Sequence, residues 1–345
     1  MQIKTVSMVA AGALVLALAA NSATNNNQPL DTAVAKGAQW IASVQGHDGG
    51  WGQDGGETSY VRQNERLETN GNDVANTAVA ALALRRAGSQ YQPNVEKALA
   101  YILHEVENSP ADGLRITNHN GTQIQRKLGP YIDTFLTSML LSEADGTMKT
   151  AAENARVRKA LEKCVAKIEG NQQRDGSWNV GGGWAPILGT SMASRSLFEA
   201  QKKGVRVDAA TVAQAEIYTK QAAPAGTTAS AGVALYQSAQ ALELLTRSAK
   251  DREANAPQIA AIKSQLSDAK FVNGYGSIGG EEFFSYLNVS DGLRRAGGEE
   301  WNKWHTDITA RILKLQNQDG TWAGSHCITG RVAVTSAAIL NLTVK

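Results

Sequence analysis

Apolar positions along the chain fall at helical spacing in stretch after stretch, and the stretches are of two kinds. The first kind is amphipathic: Leu30, Val34, Gly37, Ile41 and Val44 share a face, as do Val157, Leu161, Cys164 and Ile168, and again Ile308, Ile312 and Leu315. Steps of three or four residues put these side chains on one stripe of an α-helix and turn the polar residues the other way. The second kind follows the first each time. "DVANTAVAALALRRAG" from Asp73, "GTSMASRSLFEAQKKG" from Gly189 and "GRVAVTSAAILNL" from Gly330 are rich in Ala, Ser, Thr and Gly. Small side chains let helix axes approach closely, so the second kind is expected inside and the amphipathic kind outside. Alternating runs joined by two-residue turns, the mark of hairpins, are scarce.

Between the two kinds stands a turn that recurs, as "QGHDGGW", "QQRDGSW" and "QNQDGTW". Its repeated positions are Gln45, Gly49 and Trp51; Gln172, Gly176 and Trp178; and Gln316, Gly320 and Trp322. Asp-Gly makes a tight turn. The Trp is expected under the end of the outer helix, with the Gln bonding the exposed backbone there. Weaker copies fill the gaps. "ENSPADGL" follows Val95, Leu99 and Ile102, "QAAPAG" starts at Gln221, and "SDAKFVNGYGS" follows Ile259, Ile262 and Leu266. Six helix–turn–helix units result, an internal repeat. An open array needs polar caps on its end units, whereas here the first and last units carry the best copies of the turn. The expectation is an all-α protein, a closed α/α toroid with inner and outer helix rings, formed by one domain over residues 30–345.

Composition is that of an ordinary globular protein, 42% hydrophobic and 19% charged, and the formal net charge is +2. No basic stripe is built, so nucleic acid is not an expected partner. Residues 1–22 read as a signal peptide: Lys4 supplies the positive start, Met8 to Ala20 the apolar run, and "AANSA" the small residues for cleavage. Residues 23–29 read as a polar linker. The apolar run is short for a bilayer and no other segment approaches it. The mature chain is therefore expected to be secreted or periplasmic, without a membrane span. Cys164 and Cys327 are too few for a disulfide framework, and Cys164, on an apolar stripe, is expected to pack as a small hydrophobe.

"KGAQWIASVQGHDGGW" resembles the QW motif of squalene and oxidosqualene cyclases, with Lys36, Gly37, Trp40, Ile41, Gln45, Gly49 and Trp51 where that pattern has basic, small, aromatic, aliphatic, Gln, Gly and Trp. The chain as a whole is similar to exported prenyltransferase/squalene-oxidase repeat proteins. The resemblance implies the α/α toroid, a fold that also hosts prenyltransferase β-subunits, thioester domains and polysaccharide lyases. The departures narrow the chemistry. The D-x-D-D acid run of class II cyclases is absent, "NDVAN" at Asp73 and "YIDT" at Asp133 being single carboxylates, and so is the thioester G-C-G-E-Q. "SHCITG" resembles the His-bearing segment of the prenyltransferase zinc site, and "GEEFFSY" falls over its Asp-x-Cys helix start, with Glu281 for Asp but Phe283 for Cys. Glu281, His326 and Cys327 would make a zinc set of carboxylate, imidazole and thiolate. Against it, adjacent side chains on an extended segment point apart, and His326 then hydrogen-bonds while Cys327 packs.

Inner helices start just after each turn, so residues near those starts gather at one mouth of the ring. The candidates are Asp73 with Thr77, Tyr131 with Asp133, Ser191, Glu281 and Glu282 with Tyr286, His326 and Arg331. Each singly is a helix cap or a wall hydrogen bond. As a group they suit a small polar or carbohydrate ligand in the central cavity, and Tyr, Arg and carboxylate are the parts a polysaccharide lyase uses. His47 and His119 read as surface residues. Three readings stand side by side: a toroid that binds or processes a ligand in its cavity, a terpenoid-type enzyme with a lipid-filled cavity, and a non-catalytic binding or scaffold module of the cell envelope. With five Phe, seven Trp and eight Tyr, and Trp committed to each strong turn, an aromatic cage for carbocations is thinly supplied.

Overall fold

The structure, a computed structural model, describes residues 28–53, 71–180, 186–222, 232–267, 280–324 and 327–344, and these form helices with no strand among them. Six inner helices alternate with six outer ones. The inner set is α2 (Val74–Ala87), α5 (Ile132–Ala144), α7 (Pro186–Lys202), α9 (Gly232–Leu245), α12 (Gly280–Ala296) and α14 (Arg331–Leu342). The outer set is α1 (Gln28–Ser43), α3 (Gln92–Asn108), α6 (Ala151–Gly170), α8 (Ala209–Ala222), α11 (Ala256–Ser267) and α13 (Glu299–Lys314). Two short helices complete the order, α4 (Gln123–Leu128) before α5 and α10 (Ala249–Ala254) before α11. The expected linker ends early, because Gln28 and Pro29 already belong to α1, where proline suits a first turn. The signal-peptide segment 1–22 lies outside the described residues.

Each inner helix packs on the next, α2 on α5, α5 on α7, α7 on α9, α9 on α12 and α12 on α14, and α14 packs back on α2. The ring is closed. Helix α1 sits over the seam between the last inner helix and the first. The inner helices owe this closeness to their small side chains. From Val74 to Leu84 no residue is more than 3% exposed, so α2 is buried on its inward and outward faces alike. Helix α14 is the same from Val332 to Leu342. Neither helix exposes a face to solvent.

The three strong turns are built alike. Trp51, Trp178 and Trp322 are buried, and each indole N–H donates to the carbonyl ten residues before it, Ile41 (2.8 Å), Ile168 (2.7 Å) and Ile312 (2.7 Å), near the end of the preceding outer helix. Their main-chain N–H groups donate to Thr77, Thr190 and Thr335 on the following inner helix. The Gln carboxamide reaches further. Gln45 donates to Asn94 O (2.9 Å), Gln172 to Thr211 O (2.9 Å) and Gln316 to Ala33 O (2.8 Å), each on the next outer helix around the ring. For the last turn the next helix is the first. The turn glycine has φ near +90°, open to glycine and strained for other residues, and a Cβ on Gly176 would lie 2.2 Å from Gln214 O. Gly37 has its own reason to be small, since a Cβ there would lie 2.8 Å from the Trp322 ring.

The weak copy "ENSPADGL" has neither Gln nor Trp, and lysines replace them. Lys163 Nζ donates to the carbonyls of Val106 (2.8 Å), Glu107 (3.3 Å) and Ser109 (2.6 Å). Buried Lys167 donates to those of Asp112 (3.3 Å), Gly113 (2.9 Å) and Arg115 (3.1 Å). Here the next outer helix bonds the turn, where in the strong copies the turn bonds the helix. The other weak copies fall mostly on 223–231 and 268–279, outside the described residues. Cys164 is fully buried as expected, its thiol pushed up to about 12 by burial, and it and Cys327 are not joined in a disulfide.

Candidate active site

Two of the candidate residues meet. Asp73 is the N-cap of α2, in extended backbone, and its Oδ1 accepts the N–H of Asn76 (2.9 Å) while its Oδ2 accepts from Asn76 Nδ2 (2.8 Å). Asp133, in the first turn of α5, accepts the adjacent N–H of the same helix, Ala75 to Oδ1 at 3.1 Å, and its Oδ2 accepts from Gln125 Nε2 at 2.6 Å. Successive amides at one helix start thus serve two carboxyls that are 60 residues apart along the chain, Asp73 and Asp133. Both are buried, at 1% and 2% exposure. Burial raises the Asp73 carboxyl to about 6 against the lowering effect of its Asn76 bonds and of His119. Burial raises Asp133 to about 7, held back by Gln125 and pushed on by the charge of Asp73. Near neutral pH the pair tends to keep a proton.

The described contacts of the remaining candidates are with other residues. The Tyr131 ring is faced by the guanidinium of Arg115 at 5.8 Å. Tyr286 donates to Glu282 Oε2 (3.2 Å) on its own helix and meets Trp304 of α13 edge-on. Arg331 pairs with Asp319 (3.2 Å) in the last turn and lies over the Trp40 ring at 4.9 Å, contacts that help close the ring. Thr77 serves the Trp51 turn, and Ser191 accepts from Asn288 Nδ2 at 2.9 Å. His47 and His119 are exposed. Of the zinc set, the Glu281 side chain and His326 lie outside the described residues; Cys327 has φ 62. Among the described residues no group of three or more His, Cys, Asp or Glu is arranged to hold a metal ion.

Two features went unread in the sequence. One is Gln125, which belongs to a capping box, Thr122 receiving the N–H of Gln125 and Gln125 receiving that of Thr122. "TQIQ" carries that signal, but its reach to Asp133 depends on the fold. The other is a buried ion cluster on α7, α9 and α12. Arg195 bonds Asp291 and Asn288, and Glu243 is held between Arg247 and Arg295. Burial alone would raise Glu243, but the two guanidiniums outweigh it and bring its carboxyl down to about 2.

Residues 9–127 match the family described as squalene-hopene cyclase C-terminal domain, a stretch that includes α1, α2 and α3. A squalene–hopene cyclase of Bradyrhizobium diazoefficiens is 37% identical over 73 residues, which are 21% of this chain and 11% of that protein. The chain thus spans about a tenth of the length of this curated relative. No helix among the described residues is long and apolar enough to cross a membrane. Over its N-terminal third the chain is thus similar to squalene-hopene cyclases, and its closed ring of helix pairs is consistent with the α/α toroid of squalene cyclase-like domains.

Proposed function

We propose that this chain is an exported enzyme that takes a ligand at the turn end of its ring and exchanges a proton with it through Asp73 and Asp133. The observation that carries the reading is the meeting of two buried carboxyls on adjacent amides of α2. Burial raises both toward neutral pH, and the charge of Asp73 raises Asp133 further; perturbed carboxyls at one helix start are what acid–base chemistry requires. A local D-x-D-D run is missing, and two helices supply a carboxyl pair in its stead. Helix amides at 2.9 and 3.1 Å stabilise the charged form once a proton has left. Similarity to a squalene–hopene cyclase makes an isoprenoid the first ligand class to try, ahead of oligosaccharides. The charged start and apolar run of residues 1–22 support export.

Asp133→Asn keeps the size and loses the proton. Wild-type chain incubated with polyprenyl and triterpenoid lipids, and in parallel with oligosaccharides, should convert one class. The variant should still bind that class while its turnover falls at least a hundredfold. Full turnover by Asp133→Asn would overturn the reading. A second reading, a non-catalytic binding module, draws on the packed inward faces of α2 and α14; it predicts that wild type binds a ligand and returns it unchanged.

A further inference from the structure

Beside the carboxyl pair stands an acceptor that the chain leaves unanswered. The donors bonded to Asp73 and Asp133 are neutral, namely the N–H groups of Asn76 and Ala75 and the carboxamides of Asn76 and Gln125. Asn76 directs its Nδ2 to Asp73 Oδ2 at 2.8 Å. That bond fixes which way the carboxamide faces, because exchanging its oxygen and nitrogen would set two acceptor oxygens against each other. The Asn76 Oδ1 is thereby left over. It belongs to a residue only 3% exposed, and it has no hydrogen-bond partner among the described residues. Buried polar atoms nearly always have a partner, and an amide oxygen can take only a donor. The excess of acceptors continues next to it. Trp51 O accepts from Asp73 N (3.0 Å) and Gln53 O from Val332 N (3.1 Å), so residues 51–53 join the starts of α2 and α14. On that join Asn72 Oδ1 and Gln53 Oε1 are further buried amide oxygens without a partner among the described residues.

We infer that the ligand of the Asp73 and Asp133 pair is an alcohol, whose hydroxyl donates to Asn76 Oδ1. This rests on the pair being the seat of the ligand, as proposed above, and adds the group by which the ligand is recognised. A hydrocarbon surface would leave the oxygen unanswered, at the cost of its desolvation. An ether brings an oxygen of its own and no hydrogen. An anion would meet acceptors alone. An ammonium ion could donate but not accept, whereas a hydroxyl does both, and so can also receive a hydrogen bond from whichever carboxyl of the pair holds the proton. Prenyl alcohols and sugars share this group.

Geraniol and cellobiose stand for the two sources, and the methyl ether of each keeps the skeleton while losing the donor. Calorimetric titration of the full chain should find one alcohol bound about tenfold more tightly than its ether. In Asn76→Ala the alcohol should fall to the affinity of the ether. The wild-type comparison decides by itself where Asn76→Ala folds poorly. An ether bound by wild type as tightly as its alcohol would overturn the inference, Oδ1 then holding an ordered water only. So would failure of both alcohols to bind, or a tenfold preference that survives Asn76→Ala. A preferred alcohol that is returned unconverted leaves the recognition standing and removes the proton exchange. Turnover of an ether or of squalene as fast as of the alcohol, lost in Asp133→Asn, does the reverse.

Discussion

At the scale of single residues, Asp133 sets a measurable pH dependence. Its carboxyl is raised from 3.8 to about 7 on folding, first by burial and then by the neighbouring Asp73. Between those values the native chain binds more protons than the unfolded one, so the stability from this group is full below the lower value and is lost as pH rises through the upper. Asp73, raised to about 6, acts in the same sense. Asn at 133 cannot ionise. The Asp133→Asn variant should therefore lose less stability than wild type between about pH 5 and pH 8, checked by urea midpoints across that range; parallel pH curves for the two proteins would refute the assignment. The same residues mark the limit of what the sequence discloses. Gln45, Gly49 and Trp51 act within a turn or at a fixed offset from it, so their pattern is readable wherever it recurs. Asp73 and Asp133 were readable as helix-start carboxyls, yet their meeting depends on α2 and α5 standing side by side, which no local pattern states.

At the scale of elements, the joint between α3 and α6 is the instructive one. Strong turns are legible because Gln and Trp belong to the turn itself. The weak turn after α3 was legible only as a degraded copy, "ENSPADGL", since its fasteners sit on the following helix, at Lys163 and Lys167. On the helix pattern alone a lysine at 167 breaks a position where the repeat wants an aromatic. In the fold its stem is buried and its ammonium meets three carbonyls, a use of lysine as backbone cap that hydropathy cannot foresee. Lys167→Met keeps the apolar stem and removes the donors, leaving the carbonyls of Asp112, Gly113 and Arg115 without this partner. The expected loss is about 1–3 kcal/mol, accompanied by faster proteolysis at 109–116. If Lys167→Met melts at the wild-type temperature with that loop equally resistant, the cap contributes nothing. Of the expected mouth of polar residues, Tyr286 meets Trp304 and Arg331 meets Asp319 and Trp40, partners that no local pattern in the sequence names.

At the scale of the molecule, two kinds of fastening share the ring. Turn staples join the outer helices α1 to α3, α6 to α8, and α13 back to α1, whereas the Arg195, Glu243 and Asp291 cluster ties α7, α9 and α12 together near their inner faces. The last staple separates a closed ring from an open solenoid. Gln316 bonds Ala33, Gly320 abuts Lys36, Trp322 meets Gly37 and Arg331 covers Trp40, so four successive contacts of the last turn and the α14 start fall on α1. In an open array each repeat leans only on its sequence neighbours, and damage at the last turn would stay in the last unit. In a ring it must reach the first. Trp322→Ala removes a fully buried indole and its bond to Ile312 O, a change worth about 3–5 kcal/mol. Hydrogen exchange should accordingly rise in α1 as much as in α13, although the two lie far apart in the sequence, and should change least in α6, whose main contacts are α3, α5 and α7. A rise confined to α13 and α14, with α1 at wild-type protection, would mean that the ring does not close through this staple. An equal rise in α1 and α13 would make residues 28–43 the keystone of the fold, held as firmly by the last turn as by the turn that follows them.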